Sequence, residues 1–190
     1  MGAARALFLE RGYAGTTVDT ISDRADVPPA TLYRLFASKL GFLKAVLDES
    51  IAGDDAAVPL PDRPRIQALF ATTDPRVQLT GFAGLTRDIN SRAAPVYQIL
   101  VSAAAADLDA AALLEEYTRQ RHEGQRQIAR SLSRRGALRA ELRQRDAEDI
   151  IHALMSPEIY RLLVIDRGWT PKRYAEWLSR TLIDQLLAPA

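Results

Sequence analysis

Apolar residues recur three and four positions apart along nearly the whole chain, and no segment alternates with the period of two that a half-buried strand requires. The pattern predicts an all-α protein. At the N-terminus, "ARALFLERG" reads as a first helix with Gly12 just past its end. Thr16 and Asp19 have the spacing of a capping box and are expected to open a second helix, "VDTISDRA", which Asp26 ends after about two turns. Pro28 and Pro29 suit the first positions of a third helix, "PATLYRLF", because proline there has no N–H to leave unpaired. Ser38 then caps a fourth helix through "KLGFLKAVLDESI". The Gly-, Asp- and Pro-rich "AGDDAAVPLPDRP" breaks the helical period and reads as a linker. Further helices are expected at about 63–73, 75–91, 94–106, 108–135, 142–167 and 171–188, interrupted at "TDPR", "RAAP", "RRGAL" and "RGWTP". The chain therefore divides into a small N-terminal module, residues 1–47, and a larger helical domain, residues 48–190.

Composition adds mainly exclusions. Of the 190 residues 47% are apolar and 26% charged, ordinary values for a globular chain, and no apolar run approaches the roughly 20 residues that span a bilayer. There is no cysteine, which rules out disulfides and thiolate metal sites, and the N-terminus lacks the basic-then-apolar pattern of a signal peptide. A soluble protein of a reducing cytoplasm, without a membrane partner, is the expectation. The net charge of +1 argues neither for nor against nucleic acid, so local placement of charge matters more. Catalysis finds little support. His122 and His152 are far apart in sequence, adjacent Glu115 and Glu116 point in different directions on a helix, and there is no Gly-rich phosphate loop or HExxH spacing. No enzyme, metal or cofactor is expected.

Two short helices joined by a tight turn, with further helices before and after, describe a helix-turn-helix unit, whose second helix lies in the DNA major groove and needs only two turns. Ile21, Ala25, Val27, Leu32, Tyr33 and Phe36 supply its shared core and one aromatic edge. Thr31 and Arg34, three apart, fall on the opposite face, free to meet bases or phosphates. The stretch "FLERGYAGTTVDTISDRADVPPATLYRLFASKLGFLKAVL" resembles the DNA-binding domain of the TetR family of transcriptional repressors. It carries a Gly-aromatic turn at Gly12-Tyr13, a Thr-Thr helix start at Thr16-Thr17, and a Leu-Tyr-x-x-Phe-x-x-Lys segment at Leu32, Tyr33, Phe36 and Lys39, all in one register. The tail "MSPEIYRLLVIDRGWTPKRYAEWL" resembles one branch of that family more loosely.

The resemblance implies roles residue by residue. Thr17, Tyr33 and Lys39 would hold phosphates, and Pro29, Ala30, Thr31 and Arg34 would face bases of double-stranded operator DNA. Arg34 has the chemistry to pair with guanine O6 and N7, or else to hold a phosphate. The chain departs from the family pattern where Asp26 replaces a turn glycine, Pro28 a capping serine and Leu35 a common histidine. It also starts within the first helix, so no basic arm is expected ahead of it.

For the larger domain the resemblance implies binding of an unidentified small-molecule effector and homodimerisation through the last two helices. The residues themselves support the second role. Tyr174, Trp177, Leu178, Thr181 and Leu182 recur at helical spacing, and Ile151, Leu154 and Leu162 supply a stripe on the preceding segment, so that two copies would build a four-helix bundle. Phe82, Leu85, Ile89, Tyr97, Leu100 and Tyr117 on the middle helices are candidates to line an effector cavity, although each also suits an ordinary core. The run from Arg119 to Arg145, with nine Arg and two Glu, reads as the solvated face of a long helix and its loop, an anionic ligand being the other reading. Two alternatives stand beside a ligand-responsive repressor: a DNA-binding regulator or architectural protein without a ligand, and a helical interaction module that has lost DNA binding.

Overall fold

The structure, a computed structural model, describes residues 1–53 and 59–188. Among them the chain forms ten α-helices and no strand, with one isolated antiparallel bridge between Leu138 and Leu187. The all-α expectation holds. The chain folds into two compact units, Met1–Asp55 with Arg92–Tyr117, and Ala56–Ser91 with Thr118–Ala190.

The first unit opens with α1 (Gly2–Arg11), α2 (Val18–Ala25), α3 (Pro29–Phe36) and α4 (Lys39–Ala52). Helix α1 packs on α2 and α4, and α3 on both α2 and α4. Leu43, Val46, Leu47 and Ser50 on α4 repeat at helical spacing and are buried with Leu7, Phe8 and Ile21. Each such apolar side chain contributes about 1.5–3 kcal/mol by leaving water.

The start of α2 differs from expectation by one residue. Thr17 is the N-cap, its hydroxyl accepting from the Thr20 N–H while the Thr20 hydroxyl accepts from the Thr17 N–H. Thr16 is wholly buried instead, with Oγ1 donating to the Gly12 carbonyl at 2.8 Å and lying 3.2 Å from that of Leu7. It pins the turn that follows α1. Either threonine has capping chemistry, so the pair alone does not say which is taken indoors. Asp26 does end α2, in the left-handed region at φ 52. The Ser22 hydroxyl then donates to the Val27 carbonyl at 2.6 Å and closes the turn into α3.

Two later segments complete this unit: residues 92–104 of α6 (Pro75–Ala104) and residues 108–117 of α7 (Leu108–Arg134). The break expected at "RAAP" does not occur, and Pro95 lies inside α6. A proline there forfeits a backbone hydrogen bond and costs about 3 kcal/mol. Ala93, Ala94, Val96 and Tyr97 around it are buried, and their packing offsets that loss. The Arg92 guanidinium donates to the Ser50 and Ile51 carbonyls at 3.1 and 3.3 Å, placing a cation on the last turn of α4 where the helix dipole favours one. The Tyr117 hydroxyl donates to the Asp48 carboxylate at 2.5 Å. Helix α4 is therefore tied by side chains to both later segments.

The second unit holds a short 3-10 turn at Leu60–Asp62, α5 (Pro64–Ala71), residues 75–91 of α6, residues 118–134 of α7, α8 (Gln144–Leu154), α9 (Pro157–Tyr160) and α10 (Pro171–Leu186). The linker expected across "AGDDAAVPLPDRP" lies in part outside the described residues. The single helix expected at 142–167 is divided at Ser156, whose hydroxyl accepts from the Ile159 N–H with Pro157 at the first helical position. Beyond α9 the chain continues as a π-helical segment, Arg161–Asp166. Helix α10 packs on α8, burying Tyr174, Leu178, Leu182 and Leu186, one per turn. Between α7 and α8, His152 is held from both sides: Nδ1 donates to Gln125 Oε1 at 2.9 Å and Nε2 accepts from Arg121 at 3.1 Å. Burial, then the charges of Arg121 and His122, lower its pKa, so the neutral ring fits this site. No helix among the described residues is long and apolar enough to cross a membrane.

Candidate nucleic-acid interface

Helix α3 is short and almost entirely outward-facing. At about 100° per residue, Leu32 and Phe36 point inward together. Leu32 is buried, and the Phe36 ring meets that of Phe42 at 4.0 Å. Ala30, Thr31 and Arg34 form the arc opposite them, with Tyr33 on one flank and Leu35 on the other. Pro29, Ala30, Tyr33, Arg34 and Leu35 are exposed and Thr31 is half-buried. Among the described residues Arg34 has no acidic partner. Cations on the flanking helices differ, for Arg24 pairs with Glu10 at 2.7 Å and Lys44 with Asp48 at 2.8 Å. An unneutralised guanidinium on the outermost arc of a helix is available to an anionic or base-edge acceptor.

Thr17 is exposed at the N-terminus of α2, where the helix dipole favours an anion. Lys39 begins α4, with Nζ donating to the Tyr13 carbonyl at 3.0 Å and lying 4.1 Å from the centre of the Tyr13 ring. The structure thus joins two motif positions, Tyr13 and Lys39, that are far apart in sequence. The role of Tyr13 in holding Lys39 is not legible in the sequence, because nothing in the spacing links them.

The junction from α3 to α4 is a second feature that sequence reasoning missed. Ala37 has φ 62 and ψ −39, and the Ser38 N–H donates back to the Phe36 carbonyl at 2.7 Å, a tight γ-turn of positive φ. Gly41, in the first turn of α4, faces the same carbonyl so closely that an added Cβ would lie 1.9 Å from its oxygen. Its signal is a glycine inside an otherwise regular helical pattern. Together these residues set the path by which α4 leaves α3.

The other candidate residues divide by burial. Phe82, Leu85 and Ile89 belong to the second unit, where Phe82 is buried with its ring 5.1 Å from Phe70. Tyr97, Leu100 and Tyr117 are buried in the first unit. Burial, followed by the Asp48 carboxylate, raises the Tyr117 pKa and keeps its hydroxyl a donor toward α4. Of the residues expected at a dimer seam, Ile151, Tyr174, Leu178 and Leu182 have no accessible surface and form the core of their own unit. Leu154, Leu162, Trp177 and Thr181 keep accessible surface, Leu162 at 43%. In the arginine run, Arg126 and Arg130 pair with Glu123, Arg139 with Glu141, and Arg135 donates to the Phe70 and Thr72 carbonyls.

A helix-turn-helix packed between flanking helices, with Arg34 exposed on its second helix, defines a DNA-binding module of transcription regulators. Residues 1–46 match the family described as bacterial regulatory proteins, tetR family. The chain is 31% identical over 167 residues, 86% of its own length and 76% of the relative's, to YdeS of Bacillus subtilis (strain 168), an uncharacterized HTH-type transcriptional regulator. It is also similar to the HTH-type transcriptional activator FasR of Mycolicibacterium smegmatis, 39% identical over 77 residues that cover 40% of this chain and 32% of FasR. Its fold matches the TetR family transcriptional regulator PfmR of Thermus thermophilus with a TM-score of 0.66 at 19% identity, across 98% of this chain and 97% of that one. The chain belongs to the TetR family.

Proposed function

We propose that the protein is a ligand-responsive transcriptional repressor that binds a palindromic operator as a homodimer and is released by a small molecule. The observation that carries this reading is the outward arc of α3, on which Arg34 stands beside Ala30 and Thr31 without an acidic partner among the described residues. Residues 1–47 act as the DNA-binding module, with Thr17, Tyr33 and Lys39 on phosphates and Pro29, Ala30, Thr31 and Arg34 toward bases. Residues 48–190 dimerise and take the effector. The seam runs through the accessible members of the last helices, Leu154, Leu162, Trp177 and Thr181.

Effector release works through α4. Arg92 and Tyr117 grip its C-terminal half, so a displacement of either later segment pulls on the helix that carries Lys39. A tenfold loss of operator affinity requires the effector to prefer the DNA-free conformation by about 1.4 kcal/mol.

The test is operator titration at several salt concentrations. Binding should weaken steeply with salt, Lys39→Ala should reduce the salt slope by about one unit, and Trp177→Asp should yield monomers that bind poorly. Salt-insensitive or absent binding would point to an interaction module that has lost DNA, and binding that no small molecule relieves would point to a regulator without a ligand.

A further inference from the structure

We propose that Leu35 reads a thymine C5-methyl group beside a guanine held by Arg34, so that each operator half-site carries a G and a T one or two base pairs apart. The proposal rests on the operator reading above and names the sequence class that α3 selects. Leu35 is 64% exposed, more than Tyr33 at 50%, on a helix of eight residues. A single exposed leucine is ordinary. This one is next to Arg34 and one turn from Thr31, with Ala30 one turn before Arg34. Ala30, Thr31, Arg34 and Leu35 therefore make one contiguous patch of three carbon-rich groups and a cation.

The chemistry of the major groove leaves that patch one apolar counterpart. Guanine, cytosine and adenine present hydrogen-bonding groups and no methyl there, whereas thymine adds a C5-methyl. Leucine has no donor or acceptor, so pressing it on a polar base edge removes water without replacing its hydrogen bonds. Leu35 thus favours thymine by what it gains there and by what it loses elsewhere. Arg34 and Leu35 are consecutive, their Cα atoms about 3.8 Å apart, and successive bases rise about 3.4 Å along a strand. The guanine and the thymine must then be within one or two steps of each other.

The full chain would be used to enrich duplexes from a randomised pool, and the recovered inverted repeat re-made with dU in place of each dT in turn. Removing the contacted methyl should weaken wild-type binding about fourfold, the worth of one buried methyl-sized group. Leu35→Ala should bind the dT duplex with a similar loss and become indifferent to dU at that position, with thermal melting used to check that it is folded. Wild-type binding that ignores every dU, or a folded Leu35→Ala protein that still senses dU, overturns the assignment. Should Leu35→Ala fail to fold, Leu35→Gln, which keeps the length of the side chain but not its apolar end, takes its place with the same two outcomes. A pool from which no duplex is enriched overturns the operator reading itself, and this inference with it.

Discussion

Helices α3 and α10 carry the same kind of sequence signal and come to opposite ends. Both show apolar residues at three- and four-residue spacing. In α10, sixteen residues long, the stripe of Tyr174, Leu178, Leu182 and Leu186 is consumed by the core of its own unit. In α3, eight residues long, only Leu32 is buried and the rest keep accessible surface. Periodicity locates a helix and its inward face, but it does not say whether a second face awaits a partner. Burial tells the two helices apart.

The sharpest break in this contrast is Leu178→Ala, which should destabilise the fold by about 2–5 kcal/mol in thermal or denaturant unfolding. A shift within the roughly ±0.5 kcal/mol usual for surface sites would mean that α10 is not core at that position. Arg34→Ala is the mirror image. It should leave unfolding unchanged and cost about 1–3 kcal/mol in operator binding, concentrated at one base position. A smaller change sharpens the junction after α3: Ala37→Gly should raise stability by about 1 kcal/mol, since glycine accepts the positive φ that strains alanine. A fall in melting temperature would argue against that turn. The smallest effect concerns His152. Its folded pKa is lowered, so the unfolded chain takes up the proton first, and stability should be full above about pH 6.5 and decline as pH falls below it. His152→Gln should flatten that decline, and an unchanged pH profile would show the ring is not the group responsible.

The N-terminal helices are legible in the sequence because each boundary has a local cause: Gly12, Asp26, the Pro28-Pro29 pair and the Ser38 cap all act within a few residues of the helix they bound. The failures share a different physics. Pro95 carries a local stop signal that buried neighbours override, and the exchange of Thr16 for Thr17 as cap depends on which hydroxyl the fold encloses. Ser156 and Pro157 do carry a local signal, a cap followed by proline, but it sits inside a run of apolar period that masks it. The hold of Tyr13 on Lys39, and of Asp48 on Tyr117, joins residues that are distant in sequence and has no trace in spacing. The outward side of α3 follows from helical period alone. How little of the α10 stripe remains accessible does not.

The grip of Tyr13 on Lys39 has a consequence for how fast and how sharply the protein recognises a backbone. A free lysine carries about 2 kcal/mol of rotamer entropy, which an incoming phosphate must freeze. Lys39 has surrendered much of that freedom already, to the Tyr13 carbonyl and ring, while its ammonium keeps donors to offer. On the operator reading, the amine meets DNA as a fixed post. Binding then gains in geometric selectivity, since a phosphate even slightly out of register finds no flexible arm to reach it.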